Sequence, residues 1–501
     1  MRTWPRYPSL FEINTWVWLS DLSVKCGRRL DLGSIPPAEW DALGARGFDA
    51  VWLMGVWERS PRGIAISNAN QGLLEEFRRS LPDFRLADNV GSPYSVRRYV
   101  VDRHLGGPEG LVIARRELAK RGIRLIVDLV PNHVAPDHPW VAEHPDYFVR
   151  GTPEDVASSP ASYGLLDGGA FAFGRDPYFP AWQDVLQLNA FHPGLRRSMI
   201  DTIEDIARQS DGVRCDMAML LLNSVFERTW RGQVGATPPA DYWAEIIPGV
   251  KKAHPGFLFI AEAYWDLEWE LQQQGFDFCY DKRLYDRLEN GNAESVRLHL
   301  SDNPAYHDKL LRFIENHDEP RAAAAFSPER ERAAAIVAAT VPGARLFNEG
   351  QLEGRKIKTP VFLGRRATEP VDNELLVFYL KLLGAISGPL LRDGRWSLCE
   401  RTGWPDNASY QNVLAWNWVK DDERCLIAIN LSDRGAQARI RVPWEGADSC
   451  DWRLYDAMSG AVYERAGDQM RNEGLYVELE PWGYHLLHCY QNRQDCAGKV
   501  A

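Results

Sequence analysis

The sequence predicts a (β/α)8 (TIM) barrel with a domain inserted after its third strand and an all-β domain at its C-terminal end. Four apolar runs, at 124–133, 211–219, 257–266 and 311–321, each end in a cluster of carboxylate, His or Arg side chains. Such runs are typical of strands buried on both faces, and polar groups at the ends of barrel strands form an active site. From about residue 397 the pattern changes to short alternating strands separated by turn residues.

Eight segments supply the barrel strands in chain order. They are 11–19, 48–57, 122–130, 211–217, 257–263, 276–282, 311–316 and 343–351. The segment 111–122 before the third strand has apolar spacing on one face, a basic last turn and a Gly stop, which predicts a helix. Alternating strand and helix signals of this kind indicate a parallel barrel.

The segment 134–187 interrupts the alternation and is rich in Pro, Gly, Ser and aromatic residues. Barrel loops are usually a few residues long, so a segment of this length predicts a small inserted domain. The predicted boundaries are therefore 1–133 and 188–396 for the barrel, 134–187 for the inserted domain and 397–501 for a C-terminal β-sandwich.

Composition narrows the class of protein. The 501 residues include 45% hydrophobic residues, enough for a sizeable core, and the net charge of −11 argues against a nucleic-acid partner. We find no apolar run long enough for a membrane span and no signal-peptide pattern. The eight scattered cysteines show no metal-ligand spacing, so we expect free thiols and a cytoplasmic protein. Oligomeric state is not predicted.

Three carboxylates are the candidate catalytic residues: Asp216, Glu262 and Asp318. Arg214 and Asp216 are two residues apart on one strand, so their side chains point to the same face. A guanidinium beside a carboxylate favours the ionised form, which suits a nucleophile. Burial of Glu262 at the end of an apolar strand favours the protonated form, which suits an acid. Taken alone, the spacing of Arg214 and Asp216 favours a structural ion pair, and a Glu at a strand end, such as Glu262, is more often structural.

The four runs resemble, in order, the four signature regions of the α-amylase family, glycoside hydrolase family 13. Region one of that family is D-x-x-x-N-H, region two is R-x-D, region three has one Glu after an apolar strand, and region four is N-H-D. The matching residues are Asp128, Asn132 and His133, then Arg214 and Asp216, then Glu262, and finally Asn316, His317 and Asp318. The stretch 92–102 resembles the family segment before region one, in which Tyr94 takes the place of a sugar-packing Tyr.

The resemblance implies a retaining α-glycosidase that acts on α-1,4-linked glucans or maltooligosaccharides through a covalent glycosyl-enzyme. It gives Asp216 the role of nucleophile, Glu262 that of acid and base, and Asp318 that of a third carboxylate that holds sugar hydroxyls. The substrate-binding residues that it implies are Tyr94, His133, Arg214 and His317. The chemistry needs no cofactor. A structural Ca2+ with Asn132 as a ligand is left open, because the acidic residues of 134–187 follow no recognisable loop pattern.

One departure keeps alternatives open. Many family members have a Lys-His pair after the nucleophile, and here Met219 and Leu220 stand at those places. The acceptor side must therefore differ, so an α-glucosyl transferase or isomerase is the first alternative. A non-catalytic carbohydrate-binding relative is the second, since a fold alone proves no activity. The presence of all three carboxylates, Arg214 and both histidines argues against this second alternative.

Overall fold

The computed structural model describes residues 4–166, 168–444 and 447–492. Its centre is a closed barrel of eight parallel strands that follow one another around the barrel in chain order. The strands are β1 (Ser9–Asn14), β2 (Ala50–Met54), β3 (Arg124–Leu129), β4 (Gly212–Cys215), β5 (Leu258–Ala261), β6 (Phe278–Tyr280), β7 (Leu310–Arg312) and β8 (Ala344–Asn348). The predicted fold class is confirmed, and each strand lies on or overlaps one of the eight predicted segments.

The first strand ends earlier than the sequence pattern predicts. β1 stops at Asn14, and the apolar residues that follow form the start of the helix Thr15–Cys26. The Asn14 side chain accepts a hydrogen bond from the Val17 amide (3.3 Å), which satisfies one of the free N–H groups at the helix start. A polar cap inside one predicted strand segment therefore ends the strand and begins the helix.

Twelve helices of eight or more residues lie within the described ranges. They are Thr15–Cys26, Pro37–Ala45, Pro61–Ala69, Gln71–Ser80, Gly107–Lys120, Pro193–Gln209, Asn223–Trp230, Tyr242–Ala253, Lys282–Asn290, Ala293–Leu300, Pro328–Thr340 and Asn373–Ile386. The helix predicted before β3 is Gly107–Lys120, four residues longer at its start than its apolar periodicity indicates.

The insertion after β3 contains a four-stranded sheet of its own. Its strands, in spatial order, are His133–Val134, Trp182–Gln187, Gly169–Gly174 and Tyr163–Leu166. The pairing of His133 with Gln187 joins the first and last residues of the insertion. The sheet therefore returns the chain to the carboxyl end of β3, where it left the barrel.

The C-terminal part of the chain consists of two antiparallel sheets. The larger sheet has the strands Arg395–Leu398, Val413–Lys420, Glu423–Asn430, Tyr484–Gln491, Trp452–Asp456 and Val462–Arg465, in that spatial order. The smaller one has Arg401–Thr402, Ala436–Ile440 and Leu475–Leu479. Residues of both sheets, such as Leu426 and Val477, share one buried apolar cluster, so the two sheets form a sandwich.

The chain forms two compact units. One consists mainly of Leu10–Tyr280 and Ile357–Thr368, and the other of Trp4–Ser9, Asp281–Lys356 and the residues from Glu369 onward. The inserted sheet and the strand ends of β4 and β5 belong to the first unit. The strand end of β7 and the C-terminal sheets belong to the second unit.

The cysteines differ from the expectation at one position. Six are free: Cys26, Cys215, Cys279, Cys399, Cys425 and Cys489. Cys450 instead forms a disulfide, so the expectation of free thiols is wrong there, and Cys496 lies outside the described residues. No helix in the described ranges combines the length and apolar character that a membrane crossing requires.

A buried histidine predicts that the fold loses stability in mild acid. Burial lowers the pKa of His307 from 6.5 to about 4, and its Nδ1 lies 2.9 Å from Nη2 of Arg312, which must donate to an unprotonated nitrogen. The unfolded chain binds a proton near pH 6.5 and the folded chain only near pH 4. Stability is therefore lost as the pH falls through this window, by up to roughly 3 kcal/mol for this one group.

We expect Tm, measured by circular dichroism, to fall between pH 6.5 and 4. His307→Gln should reduce the slope, because the amide keeps an acceptor but does not titrate. His104→Gln, at an exposed position, is the control and should leave the slope unchanged. Parallel curves for the wild type and His307→Gln would contradict the argument.

Candidate active site

One arginine joins two of the predicted catalytic carboxylates. Arg214 lies on β4, Asp216 follows the last residue of β4, and Glu262 follows the last residue of the neighbouring β5. Arg214 Nη1 is 2.8 Å from Oδ1 of Asp216, and Nη2 is 2.8 Å from Oε2 of Glu262. All three side chains are buried. The predicted shared face of Arg214 and Asp216 is confirmed, and the same guanidinium also holds Glu262.

Aromatic rings surround this guanidinium. Its carbon lies 5.3 Å from the ring centre of Trp52, 5.2 Å from that of Tyr94 and 5.6 Å from that of Tyr280. Arg214 Nε also donates to the Tyr280 hydroxyl at 3.3 Å. Burial alone would lower the pKa of Arg214, but the charges of Glu262 and other neighbours raise it well above its ordinary value. Arg214 is therefore a permanent cation between the two carboxylates.

Two hydrogen-bond donors reach the carboxylate of Glu262, which also forms an ion pair with Arg214. Besides Arg214, the amide of Met217 donates to Oε2 at 2.6 Å, and the hydroxyl of Tyr264 donates to Oε1 at 2.9 Å. These contacts hold both oxygens of Glu262 in place at the end of β5.

The backbone after Asp216 is strained in a way that serves this contact. Met217 has φ 43°, a left-handed conformation that a non-glycine residue rarely adopts, and its amide points at Glu262. The turn Ala218–Leu221 that follows is buried. Met219 and Leu220 are therefore core residues, which agrees with the expectation that the acceptor side differs from that of family members with Lys-His.

His133 lies on the other side of Asp216. Its Nε2 is 3.9 Å from Oδ2 of Asp216, and its ring packs at 5.3 Å against Trp182 of the inserted sheet. Burial lowers the pKa of His133 to about 4. The ring is thus neutral at neutral pH and adds no positive charge beside Asp216.

The region-four residues lie in the second unit, in the loop after β7. Oδ1 of Asn316 accepts hydrogen bonds from the amides of Asp318 and Glu319, both at 2.8 Å, which fixes the turn. His317 Nε2 is 2.9 Å from Oδ2 of Asp318. His317 is buried, whereas the Asp318 side chain is 41% exposed, so its carboxylate has an open side.

Asp128, the first residue of region one, has a supporting position. It is fully buried, and its oxygens accept hydrogen bonds from the Trp52 indole (3.0 Å) and the Gly55 amide (2.6 Å). It lies beside Arg214 in the register of β3 and β4. Asp128 therefore positions Trp52 against the guanidinium.

The residues around Asn132 do not fit a bound Ca2+. The Asn132 side chain is paired with the buried Gln187: its Oδ1 accepts from Nε2 at 2.9 Å, and its Nδ2 donates to Oε1 at 3.3 Å. Gln187 Nε2 also donates to the Asn132 carbonyl at 2.9 Å. Within the described ranges, no group of three or more His, Cys, Asp or Glu side chains could hold a metal ion. Oδ1 of Asn132 thus already has a partner within the protein, and the described residues supply no cluster of charged ligands beside it.

An aromatic pair joins the loop after β5 to a loop of the inserted sheet. Trp265, three residues after Glu262, meets Tyr178 of the inserted domain edge to face at 4.8 Å. Tyr178 and the adjacent Phe179 are 59% and 67% exposed. Arg228 donates to the Tyr178 hydroxyl at 3.1 Å, which ties this loop to the helix after β4. Two exposed rings thus lie on the loop side of Glu262.

Sequence reasoning missed several of these residues. Tyr264 could have been found, because it is two residues after Glu262 and the side chains of such residues point to the same side of an extended chain. Tyr280 lies near the end of the predicted sixth strand, where barrel site residues lie. Met217 and Trp265 carry no local signal, since their left-handed φ values of 43° and 64° depend on tertiary packing.

Comparison with known proteins gives this geometry a family. The model of the α-amylase catalytic domain matches residues 43–444. The chain belongs to the α-amylase family. Among curated relatives, the α-amylase MalA of Haloarcula japonica is 25% identical over 444 residues, which span 85% of this chain and 55% of the relative. An α-1,4-glucan:maltose-1-phosphate maltosyltransferase of Picrophilus torridus is 21% identical over 430 residues, 81% of this chain and 61% of that protein.

Solved α-amylase structures share the fold of this family member. The maltogenic α-amylase AmyB of Thermotoga neapolitana aligns over 96% of this chain and 98% of its own, with TM-score 0.67 and 18% identity. The α-amylase of H. orenii aligns over 97% of this chain and 100% of its own, with TM-score 0.68 and 16% identity. At these identities the likeness concerns the fold. The chain spans about half the length of the first curated relative, so its activity has to be argued from its own residues.

Proposed function

We propose that this α-amylase family member is a retaining α-glycosidase of α-1,4-linked glucans or maltooligosaccharides. The observation that carries the proposal is the single buried guanidinium of Arg214 between Asp216 and Glu262. The guanidinium holds Asp216 as an anion that can attack. It also keeps Glu262 beside Asp216, at the end of the neighbouring strand β5. Double displacement needs one carboxylate that attacks the anomeric carbon and a second that gives and takes a proton.

In the first proposed step, Asp216 attacks the anomeric carbon while Glu262 gives its proton to the glycosidic oxygen. The bond between that carbon and the leaving sugar breaks, and an ester to Asp216 forms. In the second step Glu262 takes a proton from water, the water oxygen bonds to the anomeric carbon and the ester breaks. Tyr264 and the Met217 amide keep Glu262 in place through both steps, because they donate to its two oxygens.

The remaining predicted residues hold the sugar in this proposal. Asp318, with its open carboxylate, would bind hydroxyls as the ring flattens, and His317 would orient it. His133, neutral near pH 7, would contact a hydroxyl beside Asp216. The half-buried Tyr94, whose ring lies against Arg214, would pack on the sugar face.

A second candidate is transfer of the glycosyl group to another sugar. The exposed ring of Tyr178 and the partly buried ring of Trp265 favour it, since they lie on the loop side of Glu262, where the leaving and accepting sugars would bind. A sugar that stacks there competes with water for the glycosyl-enzyme. Both candidates use the same first step and differ only in the acceptor.

Product analysis separates the two candidates. The protein is incubated with maltoheptaose, and proton NMR follows the products from the earliest times. Shorter sugars with new α-anomeric ends are expected from hydrolysis, and longer oligosaccharides from transfer. New β-anomeric ends would overturn the proposed retention, and the absence of any change would overturn the proposed substrate class.

We propose further that the Asn132–Gln187 amide pair, and no Ca2+, holds the base of the inserted domain. EDTA is then expected to leave Tm unchanged in differential scanning calorimetry. Gln187→Ala should destabilise the fold by roughly 2–3 kcal/mol, because it leaves buried polar groups of Asn132 unpaired. A clear drop in Tm with EDTA that added Ca2+ reverses would refute this proposal.

We propose a cytoplasmic location, supported by the six free cysteines, five of which are buried. The disulfide of Cys450 is the observation against it. The net charge of −11 supports a neutral glucan as partner rather than a nucleic acid. Fractionation of native cells, with activity measured in each fraction, tests the location.

A further inference from the structure

The outer face of the larger C-terminal sheet carries two exposed tyrosines. Trp452 and Leu454 point into the sandwich core. Because successive residues of a strand point to opposite faces, Arg453 and Tyr455 point outward. On the neighbouring strand Leu487 and Cys489 are core residues, and Tyr490 faces out. Tyr455 is 41% exposed and Tyr490 55% exposed.

The strand register makes these outward-facing side chains neighbours on adjacent strands. Arg453 is opposite Tyr490 on one side and opposite Glu464 on the other, and Tyr455 is opposite Val462. The two tyrosines are therefore diagonal neighbours on adjacent strands, close enough for one ligand to contact both rings. A cavity of about 670 Å³ lies along this face.

The charges along this cavity balance. The lining contains two positive side chains, Arg453 and Arg465, and two negative ones, Asp451 and Glu464, so it has no net charge of either sign. A neutral ligand rich in hydroxyl groups can use both kinds of partner, whereas an anion or a cation would meet repulsion as well as attraction. The cavity also has the size of a small-ligand site, and this small patch is far below the 20–30 residues of a protein interface.

We infer that this face, which we call the tyrosine face (Arg453, Tyr455, Glu464 and Tyr490), binds a segment of α-glucan chain. The rings of Tyr455 and Tyr490 would stack on the apolar faces of glucose units, and the charged side chains would bind the hydroxyls. It would hold polymeric substrate at a place separate from Asp216 and Glu262. The choice of ligand rests on the proposed function.

The test uses the full-length Glu262→Gln protein, so that no substrate is consumed. Binding to granular starch is measured by sedimentation, and the stoichiometry for maltoheptaose by calorimetry. Adding Tyr455→Ala and Tyr490→Ala should weaken starch binding about tenfold or more and remove one of two maltoheptaose sites. Tyr476→Ala is the matched control, because Tyr476 is 39% exposed on the other sheet. It should leave both values unchanged.

Unchanged starch binding in the double tyrosine variant, with Tm preserved, would overturn the inference. An equal loss in Tyr476→Ala would also overturn it, since the effect would then not belong to this face. The proposed function is judged separately, by turnover of maltoheptaose in the otherwise wild-type double variant. That turnover should be unchanged whether or not the tyrosine face binds starch.

Discussion

Replacing Glu262 with Gln is expected to lower kcat/KM for maltoheptaose by about 10³-fold or more. The amide cannot give a proton to the glycosidic oxygen, and it cannot take one from water in the second step. The fold should survive, because an amide of the same shape can keep the contacts with Met217 and Tyr264. Steady-state kinetics together with Tm measures both parts of this expectation.

Azide gives this variant a sharper signature. A nucleophile that needs no base should attack the glycosyl-enzyme directly, so azide should accelerate turnover of an activated donor such as α-maltosyl fluoride and yield an α-glycosyl azide. Glu331→Gln is the control: Glu331 is equally buried, in the helix Pro328–Thr340, but it is bound to Tyr379. Full activity in Glu262→Gln would remove this residue from the mechanism.

Replacing Tyr178 with Ala is expected to lower kcat/KM for maltoheptaose about tenfold, since a stacking surface for the leaving sugar is lost. The proton of Glu262 goes to the leaving group, so sugars beyond the cleaved bond lie on its side, towards Trp265 and Tyr178. α-Maltosyl fluoride has no sugar there. Its kcat/KM should therefore stay within about twofold of the wild-type value.

Two control variants distinguish the effect of losing the ring from the effect of losing the hydroxyl and from that of truncating any exposed side chain. Tyr178→Phe keeps the ring, loses the hydrogen bond with Arg228 and should behave nearly as the wild type. Leu165→Ala, at a position 65% exposed in the same inserted domain, should have no effect. An equal loss on maltoheptaose and on the fluoride would show that Tyr178 acts on the site as a whole, and the acceptor role would be wrong.

The fold and the centre of the site were predictable because they follow from local patterns. Fully buried strands read as unbroken apolar runs, and the spacing of Arg214 and Asp216 fixes their common face. The end of β1 was not predictable by the same rule. There the predicted strand segment continues into a helix, and a single side chain, Asn14, decides where one element stops.

The surroundings of Glu262 show where sequence reasoning ends. Burial alone predicts a protonated acid, whereas the folded chain brings donors from two separate loops to its oxygens. One of these donors depends on the strained φ of Met217, which tertiary packing imposes. The pairing of Asn132 with Gln187 is equally non-local, since 54 residues separate them in the chain.

The central claim is that Asp216 forms a covalent bond to the sugar while Glu262 serves as acid and base. The most direct test is to react Glu262→Gln with α-maltosyl fluoride, quench in acid and map the peptides by mass spectrometry. The fluoride leaves without protonation and the second step lacks its base, so the ester should accumulate. The account predicts one maltosyl group on the peptide that contains Asp216. A label on another residue, or none while fluoride is still released, would contradict it.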